Sequence, residues 1–284
     1  MNAYTRVEGP CSLGIMQGRL SEKINQPLQS FPWESWRNEF AIATELGFDS
    51  IEWLVDDDGE KDNPIYSELG RNEILALSSR YGISVRSLCA HCFISGDLIG
   101  IGKRQDDAIA HLVRIVDCAA ALGVDKVILP AMDVLSLRSL WARGRFSGAV
   151  RQLLDGPGPS LLLESDLPGA ELSEFIGSFC SDRLGVLYDL GNAHALGFDF
   201  ESDFANLGGL IREIHIKDRE SGTGASRRLG FGGTPFTRIS KLLSTSAWKG
   251  PIVLETPMLD DWHEEALHNI RFTRDWLTTI GSLQ

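Results

Sequence analysis

The stretch IREIHIKD, Ile211 to Asp218, carries ionisable residues through most of its length yet keeps isoleucine at 214 and 216. Alternation with period two is the mark of a β-strand, whose successive side chains point to opposite faces. Isoleucines on one face and His215 and Lys217 on the other give this strand a polar wall. His215 is then either a satisfied core histidine or one ligand of a site whose other members lie elsewhere in the chain.

Seven more runs of strand character flank it: SLGIMQG (12–18), SIEWL (50–54), SVRSLCAH (84–91), KVILPA (126–131), SLLLES (160–165), LGVLYDLG (184–191) and PIVLETP (251–257). Longer amphipathic stretches separate them. PWESWRNEFAIATELG places Pro32 at an expected helix start and Gly47 at an expected C-cap. RQDDAIAHLVRIVDCAAALG predicts a helix with Ile109, Leu112, Val113 and Val116 on its buried face. LSLRSLWARGRFSGAVRQLL, ELSEFIGSFC, TRISKLLSTSAW and DDWHEEALHNIRFTRDWL supply further helices, and ESDFANLGG is the faintest.

Eight strand–helix units in 284 residues average about 35 residues each, which predicts an α/β fold of the (β/α)8 TIM barrel type. A doubly wound open sheet would place a glycine-rich phosphate loop after its first strand. That position reads MQGRLSEK instead. With no linker or low-complexity tract, residues 1–284 are expected to form a single domain.

A net charge of −12 and a pI near 5.0 disfavour a polyanionic partner, and Arg227-Arg228 is too small a basic patch to grip nucleic acid. Five cysteines form no disulfide framework. Cys89 and Cys92 fall within an expected strand, on opposite faces, so a reducing compartment is expected. No signal core and no run approaching the ~20 apolar residues of a membrane span is present. The expectation is a cytoplasmic protein with no membrane partner.

The strands carry polar residues where a barrel wall is normally apolar on both faces. Leu161 and Leu163, Val186 and Tyr188, Ile214 and Ile216, and Ile252 and Leu254 are expected to face the helices. That parity turns Glu164, Asp189, His215 and Glu255 inward at the C-terminal end of the barrel, where barrel enzymes keep their active sites. Three converging carboxylates repel one another, and a divalent cation relieves the repulsion. Three oxygens and one imidazole suit Mn²⁺ or Mg²⁺, with Zn²⁺ or Co²⁺ as alternatives. Each of the four also has a bland reading, as a strand-end residue paired with a nearby Lys or Arg. All four together favour a metal site.

With those residues in place, the sequence resembles the sugar phosphate isomerase/epimerase superfamily with the xylose isomerase-like TIM barrel. The resemblance runs from LGIMQGRL to IVLETP and rests on the order and spacing of LESD, YDLGN, HIKD and VLETP. It implies that Glu164, Asp189, His215 and Glu255 are metal ligands, with Glu164 and Glu255 doubling as the acid/base pair. One would remove a proton next to a carbonyl, through an enediolate. It implies a small-molecule carbohydrate substrate met by His91, Glu52, Asn192, His194, Lys217, Arg219 and Arg228, and a homodimer or homotetramer. Glu52 and His91 are equally readable as polar residues at the barrel rim.

The departures from the family pattern concern substrate chemistry. Many epimerases and isomerases have D-x-x-H after strand six; this chain has Asp189 followed by Asn192, with His194 two residues on. A dehydratase of an inosose or sugar acid would use the same metal site. An apurinic-site endonuclease needs extra histidines that Pro130-Ala131-Met132 and Asn192 do not supply. A non-catalytic sugar-binding barrel would not need the paired glutamates.

Two loops are expected over the mouth. KDRESGTGASRRLGFGGTPF (217–236) combines glycines with arginines, so its amides and Arg227 or Arg228 could hold an anionic group, although an ordinary flexible loop reads the same way. VDDDGEKDNP (55–64) is acidic. Trp53 and Phe93 read as packing more readily than as a wall against a sugar.

Overall fold

The computed structural model describes residues 11–22, 29–56, 62–257 and 261–281. Eight parallel strands close into a barrel: β1 (Leu13–Met16), β2 (Ser50–Val55), β3 (Ser84–Ala90), β4 (Lys126–Ala131), β5 (Ser160–Ser165), β6 (Leu184–Asp189), β7 (Ile211–Ile216) and β8 (Ile252–Leu254). Their order around the barrel is β1-β8-β7-β6-β5-β4-β3-β2, closed by β1 against β2. The helices are α1 (Trp36–Leu46), α2 (Glu68–Tyr81), α3 (Lys103–Leu122), α4 (Leu140–Val150), α5 (Gly169–Gly177), α6 (Leu190–Ala195), α7 (Phe200–Leu207), α8 (Phe236–Thr245) and α9 (Trp262–Gly281).

Apolar side chains divide by parity into two cores. The outer core, between strands and helices, holds Leu161, Leu163, Val186, Tyr188, Ile214, Ile216, Ile252 and Leu254, as the alternation predicts. The inner core is a separate ring of Met16, Leu54, Cys89, Ile128, Leu162, Leu187 and Val253. Seven strands each give it one residue, and β7 gives none. Its inward residues Glu213 and His215 are buried and polar instead.

Three local expectations are corrected. Helix α1 begins at Trp36 rather than at Pro32, because the Pro32 carbonyl accepts from Ser35 N (3.0 Å) and Trp36 N (2.8 Å) in a tight preceding turn. Its end is as predicted: Gly47 adopts φ 77°, a left-handed cap that favours glycine. On α3 the buried face runs through Ala108, Leu112, Ile115, Ala119 and Leu122, while Val113 is 38% exposed. Val116 is buried and Ile109 packs against the core, so of the four expected positions only Val113 turns outward. His91 does not end β3 but opens a short 3-10 turn, His91–Ser95.

Trp53 is fully buried against Phe31 and Trp36, and Phe93 is buried beside His111. Both belong to the core. Among the described residues, no helix is long and apolar enough to cross a membrane. Residues 57–61 of the acidic loop expected at 55–64 lie outside the described residues.

Candidate metal and active site

Parity and stagger bring four strand ends together. Glu164 is on β5, Asp189 ends β6, His215 is on β7 and Glu255 follows β8, its backbone N–H donating to Ile216 O at 3.0 Å. In register, His215 lies between Asp189 and Val253. One ligand atom from each of the four lies within 4.8 Å of all the others, and all four residues are buried.

Each carboxylate has one oxygen occupied structurally. Asp189 caps α6, its Oδ1 accepting from Asn192 N at 2.7 Å. Glu164 Oε1 accepts from Asn192 Nδ2 at 2.6 Å. Glu255 Oε1 accepts from Gln29 Nε2, while its Oε2 lies 2.9 Å from His215 Nδ1. Lys217 bridges the group, with Nζ 2.8 Å from Glu255 Oε2, 3.0 Å from Asp189 Oδ2 and 3.9 Å from Glu164 Oε1. Gly191 permits this approach: a Cβ there would stand 2.3 Å from Lys217 Cγ and 2.8 Å from its carbonyl oxygen.

The carboxylates do not share one protonation state. Burial pushes Glu164 up to about 8, with Glu255 and Asp189 adding to the rise against the pull of Lys217. Burial also raises Asp189. Glu255 is buried too, but Lys217 and His215 hold it well below the ordinary carboxylate range. Burial opposes charge on Lys217, and the carboxylates of Asp189, Glu255 and Glu164 overcome it, raising its pKa.

A cavity of about 470 Å³ opens above this group, within the size range of small-molecule sites. Glu164, Glu255, His91, Asn192, Lys217 and Arg219 line it. Asp189 and His215 lie beneath, at 5% and 0% exposure. Arg219 Nη1 donates to Asn192 Oδ1 at 3.0 Å, so the residue in place of the family histidine links Arg219 to Glu164. Burial lowers the His91 pKa.

Three expected substrate contacts are placed differently. Glu52 is 1% exposed in the barrel interior and bonded to Ser87 and His215, away from the rim. His194 is half-buried and pairs with Ser221 Oγ at 3.0 Å, outside the cavity lining. Arg228 bonds Glu265 at 2.5 Å, and Arg227 bonds Glu220 at 3.1 Å. In the glycine-rich loop, three backbone amides are taken from within. Asp218 takes Gly230 N (2.9 Å), Gly232 N (2.9 Å) and Thr234 N (3.0 Å). A Cβ at Gly232 would be 2.3 Å from Asp218 Oδ1, so this self-closure requires glycine there.

The structure adds cavity residues that the sequence reading passed over. Arg19, whose Nε donates to Thr256 O at 2.7 Å, and Gln29 sit beside Glu255. Both lie beyond the last residue of β1, where no periodicity announces an inward side chain.

Three buried carboxylates and one imidazole fit a hard to borderline divalent cation as a donor set. A closed (β/α)8 barrel with such a set at its C-terminal mouth defines the class. A family model described as xylose isomerase-like TIM barrel matches residues 40–276, and the chain belongs to that family. Among curated relatives, it is 24% identical over 259 residues to the L-ribulose-5-phosphate 3-epimerase UlaE of Salmonella heidelberg (strain SL476), covering 86% of this chain and 89% of that one. Among solved structures, it is similar in fold to D-allulose 3-epimerase from Methylomonas sp. in complex with D-allulose, with TM-score 0.71, 16% identity and coverage of 94% and 97%. A xylose isomerase-like TIM barrel protein from Mycobacterium smegmatis in complex with magnesium gives TM-score 0.66, 19% identity and 99% coverage of both chains.

Proposed function

We propose that the chain is a divalent-metal-dependent sugar isomerase or ketose epimerase, with 3-epimerisation of a ketose as the favoured reaction. The observation that carries the reading is the placement of its two cavity glutamates. Glu164 and Glu255 stand on either side of the strand ends of β6 and β7, each lining the cavity and each with one ligand atom within 4.8 Å of those of Asp189 and His215. Two carboxylates facing one cavity from opposite sides can serve a substrate carbon as base and acid. The epimerase relatives support the same reaction type.

A divalent ion held by Glu164, Asp189, His215 and Glu255, with Mn²⁺ or Mg²⁺ favoured, would supply positive charge to polarise the carbonyl and hydroxyl oxygens of the ketose. Ionised Glu255 takes the proton from the carbon next to the carbonyl, and the C–H electron pair becomes the double bond of an enediolate. The Glu164 carboxyl, across the cavity, delivers a proton to the opposite face, which inverts that carbon. Lys217 offers its ammonium to the oxygens between the two glutamates, and Asn192 fixes the Glu164 carboxyl. Uncharged His91 can bond a sugar hydroxyl. With the amides of Gly230, Gly232 and Thr234 taken by Asp218, an anionic substituent would meet Arg219 at the cavity wall.

The test is incubation of Mn²⁺-loaded protein in D₂O with a panel of ketoses, free and phosphorylated. Deuterium at C3 together with the C3 epimer is expected. Deuterium at C1 with aldose product assigns the isomerase instead, and loss of water assigns a dehydratase. No exchange from any ketose overturns the isomerase and epimerase reading.

A further inference from the structure

Behind His215, on the side away from the cavity, lies a polar chain buried deeper than the site itself. His215 Nε2 is 3.1 Å from Glu52 Oε1 and 3.3 Å from Glu52 Oε2, with the hydrogen bond to Oε2. Glu52 Oε2 also accepts from Ser87 Oγ at 2.8 Å. Glu213 Oε1 lies 3.9 Å from the same imidazole nitrogen, and Lys126 Nζ is 2.5 Å from Glu213 Oε2. Glu52, Glu213 and His215 are at most 1% exposed. None of Glu52, Ser87, Glu213 and Lys126 lines the cavity.

Burying charges inside a barrel costs several kcal/mol per ion unless partners offset it, and apolar residues of similar volume often serve stability as well or better. Each of the other seven strands places one apolar residue in the barrel interior, which shows that alternative in this very barrel. The chain under His215 instead addresses a single atom, Nε2, from two carboxylates. A carboxylate on one imidazole nitrogen retains the proton there and leaves the lone pair on the other. Here that other nitrogen is Nδ1, the atom nearest Glu255 Oε2 (2.9 Å) and Asp189 Oδ2 (4.0 Å).

We propose that Glu52 is a positioning residue for the metal site. It holds the His215 proton on Nε2, so that Nδ1 is the ligand atom, and Ser87 holds Glu52 in turn. This rests on the metal reading above and extends it to residues that touch neither cavity nor substrate.

The test uses the full chain labelled with ¹⁵N-histidine and loaded with Zn²⁺, with the His215 signals assigned by their loss in His215→Asn. The wild-type spectrum is expected to show metal on Nδ1 and a proton on Nε2. Glu52→Ala should weaken Zn²⁺ binding by roughly 10- to 100-fold, the usual effect of removing such a partner. Glu52→Gln, which keeps an acceptor oxygen, should recover most of that loss. Metal on Nε2, or unchanged Zn²⁺ affinity in a folded Glu52→Ala, overturns the positioning role while leaving the metal site standing. A wild-type protein that binds no Zn²⁺ overturns both. The wild-type spectrum decides the ligand atom even if Glu52→Ala does not fold.

Discussion

The inward face of β7 and the apolar ring contributed by the other seven strands solve one packing problem in opposite ways. Met16, Leu54, Cys89, Ile128, Leu162, Leu187 and Val253 fill the barrel with apolar volume. β7 places Glu213 and His215 there and continues to Lys217, with every charge answered by a partner from another strand. The ring builds a barrel; β7 aims one imidazole and one ammonium at the carboxylates of β5, β6 and β8. A reacting site and a stabilising core thus share one interior, two residues apart on the same strand in the case of Leu162 and Glu164.

That division is broken most severely at Glu164. Glu164→Gln should lower turnover by on the order of 10²- to 10⁴-fold, the range for losing a general acid or base, with the folded state retained. Leu162→Ala should do the reverse, costing about 2–5 kcal/mol of stability through a cavity in the ring. Turnover per folded molecule should be close to unchanged. Urea denaturation alongside steady-state kinetics separates the two; equal effects on both observables would erase the distinction.

Next in size is the pair under β7. Lys126→Met leaves Glu213 buried without its cation, and about 3–5 kcal/mol of destabilisation is expected. The double variant Lys126→Met, Glu213→Leu should regain much of that in urea melts. If the single variant is as stable as wild type, the polar chain is not an energetically coupled unit.

Gly191→Ala sharpens the comparison from the other side. The added methyl meets Lys217 side chain and backbone, so about 1–3 kcal/mol of strain is expected. KM and kcat should both suffer, because Lys217 and Asn192 move. Arg228→Gln, on an exposed pair with Glu265 outside the cavity, should alter kcat/KM by less than about twofold.

The comparison can also be drawn through pH. Glu164 stands at about 8 rather than 4.5, so the native state without metal holds a proton that the unfolded chain releases. Its stability contribution is full below 4.5 and is lost as pH rises towards about 8. Glu213, raised by burial and Glu52 to about 7, adds in the same direction. Glu255, held low, contributes above 4.5 and loses its share only in acid. Chelator-treated protein should therefore lose stability between pH 5 and 8, and metal binding at pH 7 should release protons detectable by calorimetry in two buffers.

Much of this was legible in the sequence because parity is a local property. Four strands with apolar residues at fixed alternation assign Glu164, Asp189, His215 and Glu255 to the inner face without knowledge of the partners. Depth in the barrel is not local. Glu52 shares that inward parity, but the register between β2 and β3 shifts between Ile51 and Trp53. Its height relative to His215 is therefore set by stagger, and Glu52 falls below the site rather than at its rim. Loop contacts are no more local: Asp218 closes the glycine-rich loop on amides up to 16 residues away, and Arg228 turns to α9.

The central claim is that one divalent ion sits on the cavity side of His215. Anomalous diffraction from Mn²⁺-soaked crystals tests it most directly. A single peak among Glu164, Asp189, His215 Nδ1 and Glu255 is the predicted result. A peak on the Nε2 side, among Glu52, Glu213 and His215, or no peak at saturating Mn²⁺, would contradict it.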